Sequence, residues 1–231
     1  MNDKVTVIIP TYNRFDSLQL AIISVKNQTY KNIEIIVVND NSTDIRYYNT
    51  TFTKRKDVKI VNISPNSREL FDFPIIPNGI TRNIGLNYAT GEYIAFLDDD
   101  DYWLPTKLEL QINKMIEFNC YMSCTEGLYG IGSYIVSNIY QLYNKGKYYD
   151  TLLYIYKTYN IELFPTIWDL NFLKIHNCCI TSSVVIKKSL LDKERFKPVN
   201  NAEDYDLWLR ILLYTNCVYV DEPLVYYSGR K

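Results

Sequence analysis

Short β-branched apolar runs alternate with amphipathic stretches along the first hundred residues. Val5-Thr-Val-Ile-Ile9, stopped by Pro10, predicts a buried strand. Apolar positions 18, 21, 22 and 25 then follow a helical period, predicting a helix over Leu18 to Asn27 with Asp16 or Ser17 as its cap. Ile33-Glu-Ile-Ile-Val-Val38 predicts a second strand, ending in the polar loop Asn39-Asp-Asn-Ser-Thr-Asp44. Val58 to Ile63 predicts a third strand, Ser64 to Asn78 a proline-bearing loop, Gly79 to Ala89 a helix, and Tyr93-Ile-Ala-Phe-Leu97 a fourth strand. Strands alternating with helices imply a mostly parallel central sheet with helices on both faces, an α/β class with a Rossmann-like N-terminal half.

The pattern changes after residue 101. Pro105 to Phe118 predicts a helix, and 121 to 175 reads as aromatic-rich and irregular. Thr181 to Ile186 predicts a strand and Asp204 to Leu213 a helix, with Leu207, Ile211 and Tyr214 or Leu213 facing the core. No repeat or linker divides the chain, so residues 1–231 read as one domain with a front half, 1–101, and a back half, 102–231.

Composition narrows the classes. The 231 residues are 47% hydrophobic and 22% charged, ordinary values for a chain that builds its own core. A net charge of -1 supplies no field to gather nucleic acid. No apolar run approaches the roughly 20 residues of a transmembrane helix, and no signal-peptide pattern opens the sequence, which predicts a cytoplasmic protein. The five cysteines, 120, 124, 178, 179 and 217, form no C-x-x-C pair and read as reduced, buried thiols.

Ligands of open parallel sheets bind beyond the carboxyl ends of the strands. Thr11-Tyr-Asn-Arg14, Asp40 and Asp98-Asp-Asp-Asp101 each follow a predicted strand and should meet at one rim. Four consecutive carboxylates repel one another unless a cation offsets the charge, and carboxylate oxygens suit Mg²⁺ or Mn²⁺. In a strand-end loop alternate residues point the same way, so Asp98 and Asp100 can share a ligand. Asp40 can accept hydrogen bonds from a base or ribose, or can close an Asx-turn. The Tyr12 ring can stack on a base, and Arg82 can meet a phosphate or be a surface arginine. Glu203 and Asp204 fall in the first turn of a predicted helix, as dipole-favoured caps or as a general base. His176, the only histidine, has no partner histidine and reads as structural. Neither G-x-G-x-x-G nor G-x-x-x-x-G-K-[ST] occurs, which argues against Rossmann dehydrogenases and P-loop NTPases.

Val5-Thr-Val-Ile-Ile-Pro-Thr-Tyr-Asn-Arg14, Glu34 to Asp44, Arg82-Asn-Ile-Gly85, Asp98 to Asp101 and Glu203-Asp-Tyr-Asp-Leu-Trp-Leu-Arg210 together resemble glycosyltransferase family 2, in order and spacing across nearly the whole chain. The resemblance implies a single-domain A-type glycosyltransferase fold and an inverting enzyme. It further implies transfer from a nucleotide-diphosphate sugar, UDP-glucose or UDP-N-acetylglucosamine first, to a hydroxyl of a glycan or other acceptor. By the same resemblance Pro10, Thr11, Tyr12 and Arg14 flank the nucleotide, Asp40 bonds the uracil, and Arg82 approaches base or diphosphate. Asp98-x-Asp100 matches the metal motif, with Asp98 also near the ribose and Asp99 or Asp101 able to share that work. Asp204 matches the catalytic base, with Glu203 as fallback and Trp208 as packing. Many relatives carry a histidine in a loop after the last strand. Leu224 to Lys231 has none, so either Arg230 or Lys231 replaces it or the chain is a piece of a longer protein. Two other readings stay open: a catalytically silent nucleotide-sugar- or glycan-binding domain, and a nucleotidyltransferase, although the latter usually needs a glycine-rich basic loop after the first strand.

Overall fold

The computed structural model describes residues 3–67, 69, 78–199 and 202–229. Its centre is β1 (Val5–Thr11), every residue of which is buried. Such a strand must be covered on both faces, and the alternation of its side chains creates two cores. Ile8, with Ile36, Ile94 and Phe96, points into one; Val5, Val7 and Ile9, with Ile35, Val37 and Ala95, point into the other. The second core is closed by α1 (Phe15–Lys26), through Leu18, Ala21, Ile22 and Val25.

Around β1 the sheet is parallel, as the sequence pattern predicts. β2 (Ile33–Asn39) pairs with it from Val5↔Ile33 to Thr11↔Asn39, and β4 (Tyr93–Phe96) from Val5↔Tyr93 to Ile8↔Phe96 on the other side. β3 (Lys59–Asn62) extends β2. Pro10 lies past the last β4 pair, so its missing N–H breaks no ladder there.

Beyond β4 the sheet is mixed. Among the described residues it has ten strands along the path β3-β2-β1-β4-β9-β6-β10-β5. Here β5 is Tyr102–Trp103, β6 Met122–Ile131, β9 Val185–Lys187 and β10 Cys217–Gly229. Two short strands, β7 (Gln141–Leu142) and β8 (Ile167–Trp168), pair with β6 and β10. β9 runs antiparallel to both β4 and β6, whereas β6 and β10 are parallel.

Several expectations shift. Residues 121–175 are not irregular throughout, since they contain β6 and two helices, Tyr149–Thr158 and Leu170–Ile175. Leu224 to Gly229 belongs to β10 rather than to a loop, while Arg230 and Lys231 lie outside the described residues. The strand expected from Thr181 begins as a 3₁₀ turn, Thr181–Ser183, because the Ser183 hydroxyl bonds back to the Ile180 carbonyl and competes with the ladder. The first helix starts at Phe15. Arg14 takes the cap position without a side-chain bond, and Asp16 falls in the first turn. Leu213 and Tyr214 are exposed, and Leu212 fills the core in their place. All five cysteines are buried and free.

The helices that carry site residues pack hard on this sheet. A Cβ on Gly85, in the helix Asn78–Leu86, would lie 2.6 Å from Ile8 Cγ2 and 3.1 Å from Val38 Cγ2. Gly85→Ala is therefore expected to lower stability by about 1–3 kcal/mol through overpacking, despite a helix-propensity gain of about 1 kcal/mol. A urea midpoint equal to or above that of the wild type would contradict this packing.

Candidate active site

The ends of β1, β2 and β4 meet at one rim. After β1 the backbone turns through Asn13 at φ 53°, a conformation asparagine tolerates. The Asn13 side chain accepts from the Thr43 and Asp44 amides, tying the two loops together. Thr11 and Pro10 are buried and Tyr12 is half-exposed. A residue the sequence reading missed organises this corner. The buried Tyr47 hydroxyl shares a 2.7 Å bond with Thr11 Oγ1 and accepts from the Arg14 amide. Asp40 is buried, with one carboxylate oxygen accepting from the Ser67 amide at 2.7 Å and the other from the Ser67 hydroxyl at 2.6 Å.

The acid run alternates. Asp98 and Asp100 side chains are 26% and 27% exposed, whereas Asp99 and Asp101 are buried. The run follows β4 as a turn, closed by the Asp101 amide on the Asp98 carbonyl at 3.1 Å, and each inward acid has its own partners. Asp101 accepts from Ser182 Oγ at 2.5 Å and from the Ser228 amide at 2.8 Å, and the same Ser182 oxygen accepts from the Asp98 amide. Arg14 Nη1 bridges Asp99 Oδ1 at 3.0 Å and Asp100 Oδ2 at 2.6 Å.

Arg82 is neither a surface arginine nor an open phosphate ligand. Its side chain is 2% exposed, and its guanidinium bonds Asp98 Oδ1 at 2.5 Å and Glu203 Oε1 at 3.3 Å. The cation lies 5.5 Å from the Phe196 ring centre, and its Nε–H has no partner among the described residues. Burial opposes the charge, but Asp98 and Glu203 outweigh it and raise the guanidinium's affinity for its proton.

Glu203 and Asp204 open the helix Glu203–Ile211 after Ala202, which adopts a left-handed conformation at φ 54°. That conformation costs an alanine about 1–2 kcal/mol and aims the two acids at the rim. Asp204 Oδ2 accepts from Thr181 Oγ1 at 2.5 Å and Oδ1 from the Tyr205 amide at 2.7 Å. Trp208 is packing, fully buried 6.0 Å from the Phe96 and Phe196 ring centres. His176 lies outside this cluster.

A strand-end rim of acids on a curled α/β sheet is the arrangement of the A-type glycosyltransferases, and the fold matches theirs. Staphylococcus aureus TarS 1–349 in complex with UDP-GlcNAc superposes with a TM-score of 0.69, covering 99% of this chain and 59% of that one at 21% identity. The chain belongs to glycosyl transferase family 2, whose family model matches residues 6–60 and 78–192. It is similar over its whole length to the Streptococcus pneumoniae glycosyltransferase GlyA (29% identity over 236 residues), of which it spans 31%. It is 34% identical over 213 residues to Escherichia coli WfgD, a UDP-Glc:alpha-D-GlcNAc-diphosphoundecaprenol beta-1,3-glucosyltransferase, covering 90% of this chain and 69% of that protein. Among the described residues no helix is long and apolar enough to cross a membrane.

Among the described residues no three His, Cys, Asp or Glu side chains converge to hold a metal by themselves. Asp98 and Asp100 offer hard oxygen donors at the rim. Mg²⁺-type sites that use one or two carboxylates together with substrate phosphates need no third protein ligand, so this donor set fits such an ion.

Burial pushes the Asp99 carboxyl up to about 7, aided by Asp100 and Asp98 and opposed by Arg14 and Thr11. Unfolded, it titrates near 3.9, so between about pH 4 and 7 only the folded state holds this proton. Its contribution makes the protein less stable as pH rises across that window and is level above it. Asp99→Asn is expected to narrow the difference in urea midpoint between pH 5 and pH 8; an unchanged difference would contradict the assignment.

Proposed function

We propose that this chain is the catalytic domain of an inverting, metal-dependent glycosyltransferase that moves a hexose from a UDP-sugar to a glycan hydroxyl. The observation that carries the reading is the Arg82 bridge. One buried guanidinium holds Asp98, from the acid run, and Glu203, the neighbour of Asp204. In this reading residues 1–101 bind the donor, and 102–231 bind the acceptor and supply the base.

Thr11 and Tyr12, above the buried Pro10, flank the nucleobase. Asp40 accepts a uracil N–H, since a carboxylate has about four lone-pair sites and Ser67 occupies two. Arg14, half-exposed beside Asp99 and Asp100, would meet the diphosphate, whereas Arg82 would act by orienting Asp98. Asp98 and Asp100 would hold Mn²⁺ or Mg²⁺, which supplies positive charge to the departing diphosphate.

Asp204 takes the proton of the attacking hydroxyl at Oδ2, while the Thr181 hydroxyl and the Tyr205 amide fix the plane of its carboxylate. Attack opposite the diphosphate inverts the anomeric carbon in one displacement, so no enzyme nucleophile is needed. The glucosyltransferase WfgD supports UDP-glucose as donor, and TarS bound to UDP-GlcNAc supports the N-acetylated sugar.

Asp204→Asn is expected to keep UDP affinity and to lower kcat by about 10²–10⁴-fold, as loss of a general base does. UDP release from UDP-glucose, followed with a panel of glycan acceptors, measures it. Turnover at the wild-type rate would show that Asp204 is not the base.

A further inference from the structure

A partly open pocket borders this site without belonging to its acid rim. A pocket of about 190 Å³ is lined by Tyr143, Asn144, Tyr148, Leu152, His176 and Asn177. It lies on the Asp204 side. Asn177 leads through Cys178, Cys179 and Ile180 to Thr181, whose hydroxyl donates to Asp204. Tyr143, one of its walls, packs edge-on against Tyr227 with ring centres 5.2 Å apart. Asp204 is one of the charges that, after burial, Tyr227, Tyr148 and Cys178, hold the Tyr143 phenol above its usual value.

The walls are built rather than incidental. The turn Tyr143–Lys147 is anchored from beneath by the buried Glu126, which accepts from the Asn144 and Lys145 amides at 2.9 Å each. Asn144 Nδ2 in turn donates to the Cys178 carbonyl at 3.1 Å, joining the two sides of the pocket. Its chemistry is mixed. The Tyr143 and Tyr148 rings, with centres 4.8 Å apart, and Leu152 present apolar surface. His176 and Asn177 present hydrogen-bonding groups. Burial holds the His176 imidazole below its usual value, so near neutral pH it offers one N–H and one bare nitrogen.

Apolar faces opposed by groups that both donate and accept suit a ring with C–H faces and a hydroxyl rim. None of the described residues lining the pocket is a lysine, arginine or acid, so the lining does not favour a phosphorylated ligand. The volume is below the roughly 300–1,000 Å³ of pockets for drug-sized ligands, which limits the occupant to a single ring. The geometry points to this pocket as the subsite for one neutral pyranose ring of the acceptor, gripped by Tyr143, Tyr148, His176 and Asn177 beside Asp204. The assignment rests on the glycosyltransferase reading for its role, but its binding chemistry stands without it.

Saturation-transfer NMR without nucleotide tests it, with methyl α-D-glucopyranoside and its 2-acetamido analogue as probes. Saturation is expected to pass to the ring protons in the wild-type protein. Leu152→Trp, which fills the pocket, should abolish it. His176→Ala and Asn177→Ala should each weaken binding about tenfold, the scale of one or two lost hydrogen bonds. Should Leu152→Trp lose its cooperative unfolding transition, the half-buried His176 and Asn177 variants decide. Failure of both glycosides to bind the wild type, or equal binding by the variants, would overturn the subsite. Glycoside binding that obeys these variants in a protein whose Asp204→Asn form transfers at the wild-type rate would instead leave the subsite standing and remove the base.

Discussion

A buried guanidinium has to be matched by carboxylates, and in this protein that requirement ties the two halves of the chain together. Arg82 is 2% exposed and spends its charge on Asp98 and Glu203, which come from the end of β4 and from the start of the helix Glu203–Ile211. Removing one carboxylate would leave an incompletely paired charge in a site with little access to water, a situation that commonly costs about 3–5 kcal/mol. The surrounding packing allows little slack. A Cβ on Gly79 would lie 2.8 Å from Phe196 Cβ and 2.9 Å from Glu203 Cγ, so the arginine's helix rests directly on the acid's helix and its approach. The positions of Asp98 and Asp204 are thus coupled through a shared cation and a close contact.

The acid run shows how one strand end serves two purposes. Its inward members, Asp99 and Asp101, are structural. One is bridged by Arg14, and the other is clasped by Ser182 and by the Ser228 amide of β10, which fixes the rim against the back half of the sheet. Its outward members, Asp98 and Asp100, keep partial access to solvent. Burial holds Asp99 and Asp101 toward protonation, but Asp98, Asp100, Glu203 and Asp204 still outnumber the guanidiniums of Arg14 and Arg82, so the rim suits a cation and a ligand that brings one.

The front of the fold was legible because β1, β2 and β4 are largely buried on both faces and their centres read as near-continuous apolar runs. β6 and β10 were not. Gly127, Gly130 and the buried Thr125 and Glu126 break the period of β6, and register shifts around Pro223 break that of β10. The acid run, Asp40 and the Glu203-Asp204 pair were legible as site candidates, but their partners were not. Ser182 with Asp101 and Tyr47 with Thr11 are pairings made by tertiary contact, and nothing local marks them. Arg82 did leave a signal. It lies on the same helical face as Gly85 and Leu86, three and four positions on, a place where an arginine can hardly reach water.

The proposed transfer requires the rim carboxylates to bind a nucleoside diphosphate together with a divalent ion. The direct measurement is the melting temperature of the wild-type protein and of Asp100→Ala with UDP, in Mn²⁺ and in chelator. A ligand that binds only the folded state adds about 2.7 kcal/mol of stability at a hundredfold excess over its dissociation constant. The expected result is a rise with UDP that requires Mn²⁺ and is absent in Asp100→Ala. A wild-type protein that ignores UDP, or gains as much from it in chelator, would contradict it.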